Sequence, residues 1–190
     1  MNSKQLKKQL NDSGACKTAV DWLEGKSPSV AWRACQRGDL MLWYVWRIKT
    51  DRKLAVLAAC DCVEPALKYI PDDEHRPRKA VATARAWCAG VATAEDCKNA
   101  ANAAAAAANA AYAAYANAAY AAANAAAYAA AAAANADAAY ADAAADAAAN
   151  AAYAAANAAY ARKKSLRQSA AIVRRHIPYT VIRQALREQE

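Results

Sequence analysis

Short apolar-rich segments alternate with polar breaks over the first part of the chain, and this pattern predicts short helices. Residues 11–14 (NDSG) separate a basic N-terminal helix from a second helix over residues 16–24. After the next break, Ser27 is a typical N-cap and Pro28 a typical first helical residue. Residues 40–49 are apolar on nearly every side, which predicts a buried helix.

The same alternation continues toward residue 92. Residues 54–70 have a helical pattern that Pro65 should interrupt, because proline lacks the backbone N–H and clashes with the preceding turn. A polar loop with two prolines follows at residues 71–78. A short helix over residues 79–89 then ends at Gly90.

From residue 100 to residue 161 the chain is alanine at 45 of 62 positions, and alanine is the best helix former. Thr93 and Asp96 have the spacing of a capping box that would start this helix. Twelve other residues of the tract recur with a period of about 3.6, so they lie on one side of a helix. This polar and aromatic ridge consists of Asn102, Asn109, Tyr120, Asn124, Tyr128, Asn135, Asp142, Asp146, Asn150, Tyr153, Asn157 and Tyr160.

The opposite side of the tract is nearly bare alanine, which lets another helix approach closely. We therefore expect it to pack against another part of the chain or against a second copy in a homo-oligomer. One unbroken helix over residues 94–177 would be roughly 126 Å long. The steady phase of the ridge favours such a helix, and the alternative is a tight hairpin that breaks near Asn109 or near residues 135–137.

The ridge has three interpretations. Its Asn, Asp and Tyr side chains could only keep one helix face soluble. They could also bind a ligand, since tyrosine rings stack on nucleobases and pack on proteins; the candidate residues are then Tyr120, Tyr128, Tyr153 and Tyr160. Its eleven-residue spacings are also similar to those of helical antifreeze proteins, although those rely on threonine and the tract has none.

Positive charge is concentrated after the alanine tract. The formal net charge is +8, and residues 162–190 hold eight Arg and Lys against two Glu. Arg162, Lys163 and Lys164 directly follow the alanines. They indicate either a solvated helix end or a contact surface for a nucleotide or nucleic acid.

Catalytic and metal-binding signals are weak. The six cysteines include no CxxC pair and the N-terminus has no apolar signal region, so we expect reduced, buried thiols in a cytoplasmic protein. Asn and Asp interrupt the alanine tract too often for a membrane span. His75 and His176 lack partners at metal-ligand spacing, and no Gly-rich phosphate loop occurs. The sequence predicts no catalytic residue, no metal, no cofactor and no enzyme.

Residues 72–78 form the densest polar cluster of the chain. Its ion pairs could simply tie the loop, with Arg78 capping the following helix. The alternative is a binding site in which Arg76 and Arg78 offer guanidinium forks to a carboxylate or phosphate, held by Asp72 and Asp73.

This cluster lies in the segment YIPDDEHRPRKAVATARAWCAG at residues 69–90, which with its alanine-rich tail resembles a bacterial and phage family of immunity proteins. AWRACQRGDLMLWYVW at residues 31–46 is also similar to the N-terminal part of longer members, so the likeness covers roughly residues 16–175. The resemblance implies an all-helical protein that neutralises a toxin, a role assigned by gene context. It also implies that the matching positions bind the partner: Asp72, Asp73, Arg76, Arg78, Arg85 and Trp87.

Together these patterns predict an all-α protein: a small helical bundle with a long alanine-rich helix or a closely packed helical hairpin. The expected segments are a bundle at 1–92, an alanine-rich element at 93–161 and basic helices at 162–190 that could fold back. We expect a non-enzymatic binding protein of immunity or counter-defence type that acts on a protein partner, a toxin or an effector. The alternatives are a nucleotide or nucleic-acid binder that uses the ridge and the basic C-terminus, a structural or oligomeric protein, and an ice-binding protein.

Overall fold

A computed structural model describes residues 3–23, 25–113, 117–134, 146–151 and 159–188. Within these ranges the regular structure is helical and no strand occurs, which confirms the predicted all-α class. The helices in chain order are α1 (Ser3–Asp12), α2 (Lys17–Trp22), α3 (Pro28–Ala34), α4 (Gly38–Arg47), α5 (Arg52–Val63), a 3-10 helix (Glu64–Tyr69), α6 (Arg76–Cys88), α7 (Ala94–Ala113), α8 (Asn117–Ala134), α9 (residues 146–151), α10 (Ala159–His176) and α11 (Tyr179–Arg187).

The short helices begin and end where local chemistry dictates. The hydroxyl of Ser27 accepts a hydrogen bond from the backbone N–H of Val30 (3.4 Å), which caps α3 as predicted. Pro65 terminates α5, and the chain continues as the 3-10 helix. The polar loop is shorter than predicted, because Pro77 fits into the first turn of α6 and that helix already begins at Arg76.

Helix α5 is the centre of the molecule and packs against α4, α6, α8 and α10. Because helices surround it, α5 buries residues on nearly every side: Ala55, Val56, Ala58, Ala59, Cys60, Cys62 and Val63. Small residues dominate this set, and they allow the neighbouring helices to come close.

The alanine tract contains a closely packed pair of helices. Helix α7 runs through Asn109 and ends at Ala113, and α8 packs along α7 and also against α5 and α6. One continuous helix over residues 94–177 is therefore wrong, as is the predicted break near Asn109. The other expected break, at residues 135–137, lies outside the described residues. Local propensity does not determine the break because alanine favours helix equally everywhere in the tract.

The bare alanine face is buried within this same chain. Alanines of α7 and α8 that are inaccessible to solvent include Ala104, Ala108, Ala122, Ala125, Ala126, Ala129, Ala130, Ala132 and Ala133. The described ridge residues lie on the outside: Asn102, Asn109 and Tyr128 are exposed, and Asn124, Asp146 and Asn150 are partly exposed. The predicted division into a packed face and an outer ridge is confirmed for these residues.

Helix α10 folds back onto α4 and α5. Its buried residues Ala170 and Val173 enter the same core as those of α5, and so does Ile177 directly after the helix. Gly38 at the start of α4 lies directly against the backbone of α10. A Cβ atom added to Gly38 would stand 2.6 Å from the carbonyl carbon of Ser169 and 2.7 Å from the nitrogen of Ala170.

The three predicted segments share one hydrophobic core. A single cluster of buried residues extends from Trp32 through the alanines of α7 and α8 to Leu186. A second, smaller cluster near the N-terminus contains Leu6, Leu10, Val20, Leu23 and Ala31. In the ranges that the structure describes, no helix combines the length and apolarity needed to cross a membrane.

Candidate functional site

Arg78 holds the turn that precedes α6. Its guanidinium donates to four backbone carbonyls: Pro71 (3.1 Å), Glu74 (3.1 Å), Leu67 (3.2 Å) and Ile70 (3.0 Å). These carbonyls belong to the 3-10 helix and the loop after it, so Arg78 caps the preceding element rather than the following helix. Both terminal nitrogens of Arg78 therefore donate within the chain.

The remaining charged residues of the loop face solvent. Nε of Arg76 donates to Glu74 at 2.9 Å, and this hydrogen bond is the main cause that lowers the pKa of Glu74 to about 2. The side chain of Asp72 is fully exposed, 3.9 Å from Arg78. Asp73 is exposed as well. The loop therefore presents the carboxylates of Asp72 and Asp73 outward.

Arg85 belongs to a charged network centred on Asp61. Its guanidinium lies 2.8 Å from Asp61 and 3.0 Å from Glu64. Two residues of α10 contact the same carboxylate: Arg175 at 2.9 Å and the Nε2 atom of His176 at 2.8 Å. An ionised carboxylate only accepts hydrogen bonds, so Nε2 of His176 carries the donated hydrogen.

The network lowers the pKa of Asp61. Partial burial would raise it, but the hydrogen bond from His176 and the charges of His176 and Arg85 outweigh that effect. The side chain of Asp61 is 26% exposed, so solvent screens these contacts only in part. The network joins α5, α6 and α10 through one carboxylate.

Asp61 was missed by the sequence interpretation. It stands 115 positions before His176, and no local spacing connects them. The available signal is that Asp61 is the one charged residue in the otherwise apolar stretch 54–63. A lone carboxylate on a buried helix requires cationic partners from elsewhere in the fold.

Trp87 has an internal role in this fold. The guanidinium of Arg52 lies over the ring of Trp87, 5.0 Å from its centre, and 5.8 Å from the ring of Trp46. Arg52 also donates to the carbonyls of Ala133 (2.9 Å) and Ala132 (3.4 Å) at the end of α8. Trp87 thus helps to hold a helix-capping arginine in place.

Arg78 and Arg85 are the two motif residues that share a groove. They line a surface groove of about 300 Å³ with Glu64 and Lys68. Trp87 is not part of this groove, and Asp72, Asp73 and Arg76 do not line it either.

Helix α10 presents a second groove, of about 310 Å³, lined by Lys163, Lys164, Arg167, Gln168 and Ala171. We call its cations Lys163, Lys164 and Arg167 the basic face. All three are exposed, and Nε of Arg167 donates to the side-chain oxygen of Gln36 at 2.8 Å. Within the described part of the chain, none of the three forms an ion pair with a carboxylate.

The ridge contributes one described tyrosine. The side chain of Tyr128 on α8 is 37% exposed. The side chains of Tyr120, Tyr153, Tyr160 and Arg162 lie outside the described residues, so their predicted binding roles stay predictions.

The thiols of α5 are buried in opposite directions, as their spacing predicts. Sγ of Cys60 lies 3.9 Å from the carbonyl of Val81 in α6, and Sγ of Cys62 lies 3.8 Å from that of Ser169 in α10. Burial is the main cause that raises the pKa of each thiol to about 12. Both therefore stay protonated at neutral pH and are poor nucleophiles.

No three His, Cys, Asp or Glu side chains are grouped to hold a metal ion in the part of the chain that the structure describes. The chain matches no family model, no curated protein and no solved structure.

Proposed function

We propose that this chain is a non-enzymatic binding protein of immunity or counter-defence type that acts on an acidic protein partner through the basic face. The observation that carries this proposal is that Lys163, Lys164 and Arg167 are exposed along one groove without carboxylate partners among the described residues. Three such cations attract a complementary acidic surface and accelerate its association.

The chemistry of the other polar groups supports binding rather than catalysis. The carboxylate of Asp61 is held by Arg85, Arg175 and His176. The buried thiols of Cys60 and Cys62 are protonated. Free thiols of this kind also fit the reducing environment of the cytoplasm.

A nucleotide or nucleic acid is the second candidate partner. The cations of the basic face would contact phosphates, and the net charge of +8 favours polyanions in general. The exposed ring of Tyr128 offers a stacking surface, but it lies on α8 rather than on α10.

The test compares a basic-face variant with a charge-matched control. The variant carries Lys163→Gln, Lys164→Gln and Arg167→Gln. The control removes the same charge at exposed positions near the N-terminus with Lys4→Gln, Lys8→Gln and Lys17→Gln. The probes are labelled poly-glutamate and a labelled oligothymidylate, followed by fluorescence anisotropy at 50 and 200 mM salt.

We expect the basic-face variant to bind poly-glutamate about tenfold more weakly than the wild type, because it loses three favourable charge contacts. The control should bind nearly as well as the wild type. Equal losses in the two variants, or no binding of either probe at low salt, would contradict the proposal. Tighter binding of the oligothymidylate at both salt concentrations would favour the second candidate.

A further inference from the structure

In the described part of the chain, Arg167 is the one cation of the basic face that is attached to another element. Its Nε donates to Oε1 of Gln36 at 2.8 Å. Gln36 lies between α3 and α4, and it is 131 positions from Arg167 in the sequence. An Nε–H only donates, and the carbonyl oxygen is the acceptor of a glutamine side chain, so this contact fixes one edge of the guanidinium plane.

The loop that carries Gln36 is itself held firmly to α10. On one side of Gln36, the carbonyl of the buried Cys35 accepts a hydrogen bond from Nη1 of Arg174 at 2.6 Å. On the other side, Gly38 lies directly against the backbone of α10. Gln36 therefore stands between two points of attachment to the helix that carries Arg167, and these attachments set the separation of the two side chains.

The two terminal nitrogens of Arg167 remain available. Among the described residues, neither Nη1 nor Nη2 of Arg167 has a hydrogen-bond or ion-pair partner. Arg37 of the same loop differs, because its Nε and Nη2 both donate to the carboxylate of Asp39. Arg167 is exposed and lines the groove of the basic face. Nη1 and Nη2 of a planar guanidinium lie side by side, so they can donate two parallel hydrogen bonds to the two oxygens of one carboxylate.

A guanidinium that is already held loses less entropy when it binds. A free arginine side chain gives up rotamer freedom on contact with a partner, whereas Gln36 already restricts the side chain of Arg167. The ammonium groups of Lys163 and Lys164 are point charges, which attract an anion without orienting it. All three cations thus contribute to attraction, and the orientation of a bound carboxylate depends on Arg167.

We propose that Arg167 binds one side-chain carboxylate of the acidic partner through two parallel hydrogen bonds, and that Gln36 is the positioning residue that holds the guanidinium for this contact. The inference rests on the proposed function, in which an acidic protein binds the basic face. It adds the loop between α3 and α4 to the site. It also makes the site selective for paired oxygens rather than for negative charge alone.

The first test keeps the charge at residue 167 and removes the pair of parallel donors. Arg167→Lys does both, because an ammonium group lacks the planar fork. Binding of labelled poly-glutamate is followed by fluorescence anisotropy at 50 and 200 mM salt. We expect a loss of affinity of about fivefold at both salt concentrations, since salt screens charge and the charge is unchanged. Arg183→Lys, at an exposed position of α11, is the matched control and should bind as the wild type does.

The second test removes the acceptor that holds the guanidinium. Gln36→Met keeps the net charge and nearly the length of the side chain, and it should weaken binding of poly-glutamate about threefold. In the Arg167→Lys background the same substitution should not weaken binding further, because Gln36 acts through the arginine. Gln184→Met on α11 is the matched control and should leave the affinity unchanged. Gln36 and Arg167 are both exposed, so the melting temperatures of all variants should agree.

Wild-type affinity in Arg167→Lys or in Gln36→Met would overturn the inference. Equal losses from Gln36→Met in the two backgrounds would overturn it as well, because Gln36 would then act independently of Arg167. Failure of the proposed function gives a different result, in which even the variant with all three cations replaced by glutamine binds poly-glutamate as the wild type does. A loss in that triple variant together with wild-type affinity in Arg167→Lys would leave the proposed function standing and would overturn the paired contact alone.

Discussion

Arg78 and Arg85 lie in the same motif, seven positions apart, and have different roles. Arg78 donates to four backbone carbonyls and shapes a turn, whereas Arg85 pairs with the side chains of Asp61 and Glu64. The motif therefore contributes to folding at Arg78 and to a connection between helices at Arg85.

Among the described residues, Asp61 forms the largest number of charged contacts, with Arg85, Arg175 and His176. Because its pKa is lowered, the free energy of unfolding should depend on pH in a defined range. A carboxyl group whose pKa is lower in the folded state stabilises the fold above its unfolded pKa. This contribution is lost as the pH falls through the folded pKa. For Asp61 the loss therefore begins near the ordinary value of 3.8 and continues below it.

Asp61→Asn should lower the free energy of unfolding by about 2 kcal/mol at pH 7, because three cationic or hydrogen-bonding partners lose their carboxylate. The difference from the wild type should shrink as the pH falls below 3.8. Urea unfolding at pH 7, 5 and 3 measures both effects. Asp72→Asn, at a fully exposed side chain, is the control and should change little. A difference that does not vary with pH would argue against the charge network.

The position of α10 depends on a close contact between its backbone and the start of α4. The start of α4 can approach it only because residue 38 has no side chain. The contact lies beside the buried Ser169, whose carbonyl faces the thiol of Cys62 in α5. One small region thus connects α4, α5 and α10.

Gly38→Ala should destabilise the protein by about 3 kcal/mol, because the new methyl group would overlap the backbone of α10 at Ser169 and Ala170. Thermal and urea unfolding followed by circular dichroism measure the change. Gly90→Ala is the comparison: its added carbon meets nothing within 4 Å, but its φ of +77° disfavours alanine. It should cost about 1 kcal/mol. A Gly38→Ala protein as stable as Gly90→Ala would rule out the close contact.

In the whole molecule, the alanine-rich helices are not a separate appendage to the N-terminal bundle. The buried cluster passes without a break from α4 and α5 through α7 and α8 to α10 and α11. Arg52 adds a polar connection, since a residue at the start of α5 caps the end of α8. These contacts favour unfolding in a single step.

Two spectroscopic probes should therefore report the same unfolding transition. All five tryptophans lie between residues 22 and 87, so their fluorescence reports on the N-terminal bundle. Far-ultraviolet circular dichroism also reports on the alanine-rich helices. Equal midpoints in urea are expected, and a later or earlier transition in circular dichroism alone would show that the alanine helices unfold separately.

Much of the fold could be predicted from local patterns. The structure has helix caps at Ser27 and at the Thr93–Asp96 pair, and a helix end at Pro65, as the sequence predicts. Such signals can be read locally because caps and prolines depend on neighbours within four residues. The outward ridge and the buried alanine face also follow from helical period alone. The opposite directions of Cys60 and Cys62 follow from the same period, since two positions on a helix are about 200° apart.

The sequence by itself therefore determined the helical class and most of the helix boundaries in the N-terminal half of the chain. It also determined which side of each alanine helix is packed. The tertiary structure decided that α7 and α8 pair, because alanine favours helix equally at every position of the tract and leaves the turn unspecified. It also decided that His176, Arg175 and Arg85 meet at Asp61, and that Arg167 meets Gln36. Such groupings join residues far apart in the chain, and only the packing of whole helices brings them within hydrogen-bond distance.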